Sequence, residues 1–240
     1  MASTMTKYSH TQVESRVKQY QHLPLWIETG CFFLALNAGM VNVIGLVSLA
    51  SQSVTHMTGI SSLIAIHAFG QDWSQVIYLG QIILCFFLGT AISGTIVRHS
   101  TVKLGRRYAT TLYVQTGLLG ISWWFMAKNP HDALLFASMA SGIQNALASN
   151  YSGFIVRTTH LTGVITDLGL ALGHCIRGLT VDRRRIIIHL LILIGFMIGG
   201  FIGVFIYHLS PRHSLMVPTL LTLTIATIYY GYYVYYKHIH

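Results

Sequence analysis

The chain has 240 residues, of which 53% are hydrophobic and only 9% are charged. A soluble domain usually spends about a quarter of its residues on charge, so this chain could not cover its own surface in water, and we expect an all-α membrane protein. The basic residues behind its formal charge of +9 lie between apolar runs. Orientation by cytoplasmic positive charge produces this distribution, whereas a nucleic-acid partner would favour one basic domain. The expected partner is therefore the lipid bilayer, with no nucleic acid.

Residues 1–22 are polar and lack the short apolar stretch of a cleaved signal peptide. We therefore expect a cytoplasmic N-terminal tail followed by an uncleaved first span. Six apolar runs are long enough to cross about 30 Å of hydrocarbon at about 1.5 Å per residue. These runs are Leu25–Leu49, Ser74–Val97, Ala109–Met126, Ala133–Ser149, Ile186–His208 and Leu215–Tyr236. The sequence thus predicts six transmembrane helices.

Two further segments, Val54–Gly70 and His160–Cys175, have polar first halves followed by short apolar stretches. About ten apolar residues give roughly 15 Å of helix, which is half a bilayer. If both segments crossed the membrane, the 15 Lys and Arg residues would divide nine inside and six outside; if both are re-entrant, they divide thirteen and two. Because positive charge accumulates on the cytoplasmic side, the second division favours six spans, two re-entrant half-helices and cytoplasmic termini.

The two short segments resemble each other, since Thr55-His56-Met57-Thr58-Gly59 matches Thr159-His160-Leu161-Thr162-Gly163. The preceding spans match as well, with Gly39-Met40-Val41-Asn42 against Gly142-Ile143-Gln144-Asn145. We therefore divide the membrane part into a first half, residues 23–127, and a second half, residues 128–240. Three crossings separate the first spans of the two halves, so the predicted repeat is inverted. Secondary transporters use this arrangement around a midplane site.

These paired motifs resemble the YoaK family of bacterial inner-membrane proteins, a domain of unknown function. The likeness rests on an Asn in the first span before His56-Met57-Thr58-Gly59, and on Gln144-Asn145 before Arg157-Thr158-Thr159 and Thr162-Gly163. Ile60 departs from the family pattern, in which we expect Asn. The resemblance implies a multi-pass protein of the bacterial cytoplasmic (inner) membrane, but it implies no reaction.

We call the polar first halves of the two short segments the two breaks. The polar residues at and beside these breaks are the candidate solute-binding residues. If the short helices begin near Thr58 and Thr162, their N–H groups and positive dipole ends face one mid-depth cavity and attract an anion or a neutral polar solute. The predicted contacts are Asn42, His56, Thr58, Asn145, Arg157, Thr159, His160 and Thr162. A structural alternative stays open, in which the Thr hydroxyls cap the short helices and the Asn side chains link helices across the bundle.

Asp167 is the one acidic residue well inside an apolar segment, and His160 and His174 each lie seven residues from it. That spacing puts the three side chains on one helical face, so Asp167 is a candidate for proton coupling. The alternative is an ion pair between Asp167 and Arg157 or Arg177. The first half has Leu63 at the matching position.

The leading hypothesis is a channel or secondary transporter for a small polar or anionic solute. The alternative is a non-transporting membrane scaffold or regulatory protein, which predicts a fully packed centre. We expect no enzyme, because the six acidic residues are scattered. We expect no cofactor and no metal, because no two His are four residues apart and the three Cys are distant. Gly195, Gly199 and Gly203 recur every four residues, which predicts close helix packing within one chain or in a homo-oligomer.

Overall fold

The computed structural model describes residues 25–48, 54–97, 106–151 and 158–239. Within these ranges the chain forms eight α-helices and no strand. In chain order the helices are α1 (Leu25–Ser48), α2 (Met57–Phe69), α3 (Trp73–Ile96), α4 (Arg106–Met126), α5 (Pro130–Tyr151), α6 (Leu161–Ile176), α7 (Arg183–Leu209) and α8 (Met216–Ile239). A single 3₁₀ turn, Pro211–His213, joins α7 to α8.

Six of the helices coincide with the predicted spans, and their ends differ from the prediction by at most three residues. α1, α3, α7 and the stretch Pro211–Tyr235, which contains most of α8, are long and apolar enough to cross a membrane. The protein is therefore a multi-pass membrane protein. α4 and α5 are more polar, and α5 packs against α1, α3 and α4, so its Ser138 and Gln144 are buried in protein.

The short helices are longer than the predicted ten residues. α2 has 13 residues and α6 has 16, which correspond to roughly 20 and 24 Å. Each ends in a turn through a left-handed residue, Gln71 with φ 58° and Gly178 with φ 70°. Asp72 then caps α3, and hydrogen bonds from the Ser74 hydroxyl and the Gln75 N–H lower the pKa of this carboxyl.

Two pairs of long helices are parallel, namely α1 with α7 and α3 with α5. In each pair, the sequence positions of the residues in contact increase together along both helices. Gly195 of α7 lies against Phe32 of α1, and two turns later Gly203 lies against Met40. The corresponding contacts of α3 with α5 are Tyr78 with His131 and Phe86 with Gly142.

α1 and α5, in contrast, are antiparallel. The Leu34 carbonyl of α1 accepts a hydrogen bond from Gln144 near the end of α5, whereas Val41 packs in one cluster with Ala137, nearer the start of α5. Together with the two parallel pairs, this contact makes α1 and α3 antiparallel. α1 therefore ends, and α3 begins, at one end of the bundle. α5 ends, and α7 begins, at the opposite end.

Glycines allow the parallel pairs to approach at backbone distance. A Cβ atom on Gly39 would collide with the Phe196 carbonyl, and one on Gly142 would collide with the Phe86 carbonyl. The reciprocal contacts are Gly199 with Leu36 and Gly89 with Met139. The predicted role of Gly195, Gly199 and Gly203 in close helix packing within the chain is confirmed. The same type of crossing occurs twice, each time between a helix of the first half and a helix of the second.

Candidate functional site

A cavity of about 290 Å³ lies where the two breaks meet, near the middles of α3 and α7. Its lining consists of six matched pairs, one member from each half. The pairs are Asn42 and Asn145, Thr55 and Thr159, His56 and His160, Met57 and Leu161, Thr58 and Thr162, and Phe86 and Phe196. The structure thus brings together the described residues that sequence analysis selected for solute contact.

The two breaks have the same backbone geometry. His56 precedes α2 with φ −96° and ψ 71°, and His160 precedes α6 with φ −93° and ψ 61°. The N-cap residues are His56 and His160, and neither side chain makes a cap hydrogen bond, so no Thr occupies the N-cap position of either helix. Because residues of both first turns line the cavity, the positive ends of two helix dipoles border the same space.

The asparagines hold the breaks in place. The Thr55 hydroxyl donates to Asn42 Oδ1 at 2.6 Å, and the Thr159 hydroxyl donates to Asn145 Oδ1 at 3.0 Å. These bonds tie each break to the helix before it. Both bonds are local, because the chain turns back beside its own preceding helix.

The two histidines differ in their surroundings. A Cβ atom on Gly59 would collide with the His56 ring, which therefore lies over the first turn of α2. At the matching Gly163, a Cβ atom would meet nothing within 4 Å. Gly59 is thus needed for the position of the His56 ring, whereas Gly163 places no such limit on His160.

Phe86 and Phe196 also line the cavity, although sequence analysis did not select them for solute contact. Phe86 lies one turn before Gly89, and Phe196 lies one turn before Gly199; these two glycines are at the helix crossings. Both rings therefore lie close to the points where the helices cross, beside the cavity. That spacing was a signal that could have identified them.

The described lining residues include no Asp, Glu, Lys or Arg. Arg157, a predicted contact, lies outside the described residues. The described part of the chain also contains no group of three His, Cys, Asp or Glu side chains placed to hold a metal ion. In the described lining, the polar chemistry therefore comes from hydroxyl, amide and imidazole groups and from the two helix ends.

Asp167 does not line the cavity. It lies seven residues beyond His160 on α6, with Oδ2 at 3.1 Å from both Arg185 Nη2 and His189 Nε2 of α7. The predicted ion pair with Arg177 is wrong, because α6 packs against the first turns of α7 and these turns supply both partners. The predicted partner Arg157 lies outside the described residues.

A buried amide cluster adjoins the second break, and sequence analysis missed it. Gln144 Oε1 accepts from Asn37 at 3.2 Å and from Gln115 at 2.7 Å. Its Nε2 donates to the Leu34 carbonyl at 2.7 Å and to Thr158 at 3.3 Å. Gln144 therefore joins α1, α4 and α5 directly beside the break.

The comparisons with known proteins concern the same region. A family model described as "Protein of unknown function (DUF1275)" matches residues 30–228, which include both breaks and every lining residue. The match is consistent with the resemblance to the YoaK family. No curated protein and no solved structure matches the chain. The chain belongs to the DUF1275 family of proteins of unknown function.

Proposed function

We propose that the protein is a channel or secondary transporter for a small polar or anionic solute, which binds in the central cavity between the starts of α2 and α6. The observation that carries this proposal is the matched lining, to which each half contributes the same types of side chain. Inverted-repeat transporters place their solutes at such an interface between two interrupted helices.

The proposed architecture has six transmembrane helices and two re-entrant half-helices in an inverted repeat. The opposite directions of α1 and α3 support it, because α1 ends and α3 begins at the same end of the bundle, so the chain between them returns to the end from which it left. The division of Lys and Arg residues, thirteen against two, supports cytoplasmic termini in a bacterial inner membrane. The breaks need protein or water around them, because lipid cannot satisfy backbone hydrogen bonds.

The lining favours an anion or a neutral polar solute over a cation. Two positive dipole ends border the cavity, and the described lining carries no carboxylate. The volume of about 290 Å³ is at the lower limit of ordinary ligand pockets, so the solute is small.

The alternative, a membrane scaffold, predicts a packed centre, and the central cavity counts against it. We infer that the protein is not an enzyme, because the described lining offers no Asp, Glu or Cys to accompany its two histidines.

Flux into liposomes that contain the purified protein tests the proposal. A panel of chloride, nitrate, formate, urea and glycine covers small anions and neutral polar solutes. We expect at least one of them to cross faster than in protein-free liposomes. If none does, the proposed transport function is wrong.

Asn42→Asp and Asn145→Asp test whether the path runs through the cavity. Each keeps the oxygen that accepts the Thr hydroxyl but adds a negative charge. A like charge about 6 Å from an anion costs about 3 kcal/mol at an effective dielectric constant of about 20, so anion flux should fall by about 100-fold. Asn129→Asp, on the exposed turn before α5, is the control. Unchanged flux in folded cavity variants would contradict the assigned path.

A further inference from the structure

Asp167 and His189 join α6 to α7 through a contact between a carboxyl oxygen and a ring nitrogen. The His189 side chain is only 4% exposed, and that of Asp167 is 32% exposed. His189 Nδ1 lies 2.6 Å from the Arg185 carbonyl, and His189 Nε2 lies 3.1 Å from Asp167 Oδ2. Both ring nitrogens of one buried imidazole therefore face oxygen atoms.

A neutral imidazole beside a carboxylate cannot satisfy both contacts. A carbonyl oxygen only accepts, so the short contact with Arg185 requires a proton on Nδ1. The other nitrogen then faces Asp167 with a lone pair unless one more proton lies between them, on the ring or on the carboxyl. The opposite tautomer leaves the same conflict at the Arg185 carbonyl. Hydrogen bonds at both ring nitrogens therefore require one proton more than neutral histidine and ionised aspartate carry together.

The first half makes the same helix contact without polar groups. Leu63 of α2 takes the place of Asp167, and Leu79 of α3 takes the place of His189. Leu79 is fully buried, and Leu63 packs against its cluster. The neighbouring positions also agree, because Ile60 packs on Ile82 as Val164 packs on Ile192. The fold therefore permits an apolar contact here, and the second half has a polar one instead.

We propose that Asp167 and His189 share one bound proton that strengthens the packing of α6 against α7, and that loss of this proton to water weakens this packing. Because His160 and Leu161 at the start of α6 line the cavity, the proton site controls one side of the solute site. This inference rests on the proposed transport function for its role, but the proton-dependent docking stands on the contact itself. In the proposed transporter, the proton is the ion that is coupled to solute movement or regulates it.

The other charged groups near this contact are few in the described residues. On α7, Arg185 contacts Asp167 directly, whereas Arg184 is turned toward Glu28 of α1 at 2.8 Å. On α6 and its caps, the remaining ionisable residues are His160, His174, Cys175 and Arg177, and at the start of α7 they are Asp182 and Arg183. Arg185 stays charged throughout the accessible pH range, so it attracts Asp167 both before and after the shared proton leaves. We assign the pH dependence of docking to the Asp167–His189 pair, because this pair joins α6 to α7 directly.

Hydrogen exchange of the full-length protein in detergent, with no solute added, tests the proposal. The protection of α6 amides is measured relative to that of α2 amides in the same sample, because the intrinsic exchange rate rises with pH equally in both helices. We expect this ratio to be constant at low pH and to fall by about tenfold per pH unit once the shared proton dissociates, the slope for one linked proton.

Two variants make the test decisive. The double variant Asp167→Leu, His189→Leu copies the first half and should fold with a pH-independent ratio. His189→Gln places a permanent amide donor opposite Asp167 and should also remove the pH dependence, so it decides the question if the double variant does not fold. A ratio that is constant with pH in the wild type, or one that keeps its slope in the folded variants, would overturn the proposal. Failure of solute flux alone would overturn only the transport function.

Discussion

Gly89 offers a sharp test of the helix crossings that build the site. A Cβ atom there would collide with the main chain of Met139 on α5. A flexible side chain could turn aside, but a backbone carbonyl cannot, so Gly89→Ala must push α3 away from α5. A Cβ atom on Gly94, in the same helix, would meet nothing within 4 Å, and Gly94→Ala is the matched control.

The expected difference between the two variants follows from two opposing effects. Replacing glycine with alanine in a helix stabilises it by up to about 1 kcal/mol, and Gly94→Ala should show only this gain. Overpacking of a tight contact costs about 1–3 kcal/mol, and Gly89→Ala should approach the upper figure because its obstacle is backbone. The difference of about 3 kcal/mol corresponds to about 6–12 °C in the midpoint of thermal unfolding for a chain of this size.

Thermal unfolding of the two purified variants in one detergent measures this difference. Gly199→Ala, which meets Leu36 in the equivalent crossing, should match Gly89→Ala within about 1 kcal/mol, the ordinary spread for such substitutions. Equal midpoints for Gly89→Ala and Gly94→Ala would refute the close backbone approach.

Two further predictions concern the amide cluster and the topology. Gln144→Leu leaves the buried amide groups of Asn37 and Gln115 without their acceptor, so the unfolding free energy should fall by about 2–3 kcal/mol; an unchanged midpoint in the same thermal assay would contradict the role of the cluster. Reporter fusions near Asp72 and near Lys128 should both read as periplasmic, because α2 is proposed not to cross; a cytoplasmic signal near Asp72 would show that it does.

Hydropathy predicted the ends of the long helices to within a few residues. In a membrane, a long apolar run has few stable structures other than a helix, because lipid cannot satisfy backbone hydrogen bonds. Hydropathy also identified the two short segments, since each helix of 13 or 16 residues begins in a polar stretch that interrupts the apolar pattern. The internal repeat then predicted that Asn42 and Asn145 face one shared site, and both residues line the cavity. Local pattern and symmetry were sufficient for these features.

The partners of Asp167 could not be predicted in the same way. His189 appears in the sequence as a single histidine within the apolar run of α7, and its register against α6 depends on how the two helices pack. The sequence instead suggested His160 and His174, which share a helix face with Asp167. Contacts between helices decide such pairs, and periodicity along one helix does not report them.

The two halves match at the cavity and differ beside it. Gln144 and Thr158 of the second half correspond to Val41 and Val54 of the first, and all four side chains are buried. Burying polar groups costs free energy unless every bond is made, and Asn37 Oδ1 and Gln115 Oε1 have no hydrogen-bond partner in the described residues.

Since the first half folds with valines at these positions, the fold does not require the polar cluster. The protonated contact of α6 adds a second polar substitution to the same half, in place of Leu63 and Leu79. Gln144 with Thr158 and the Asp167–His189 contact both replace apolar packing, and all four residues belong to the second half. In the proposed transporter, we therefore expect the second half to be the one in which α6 moves.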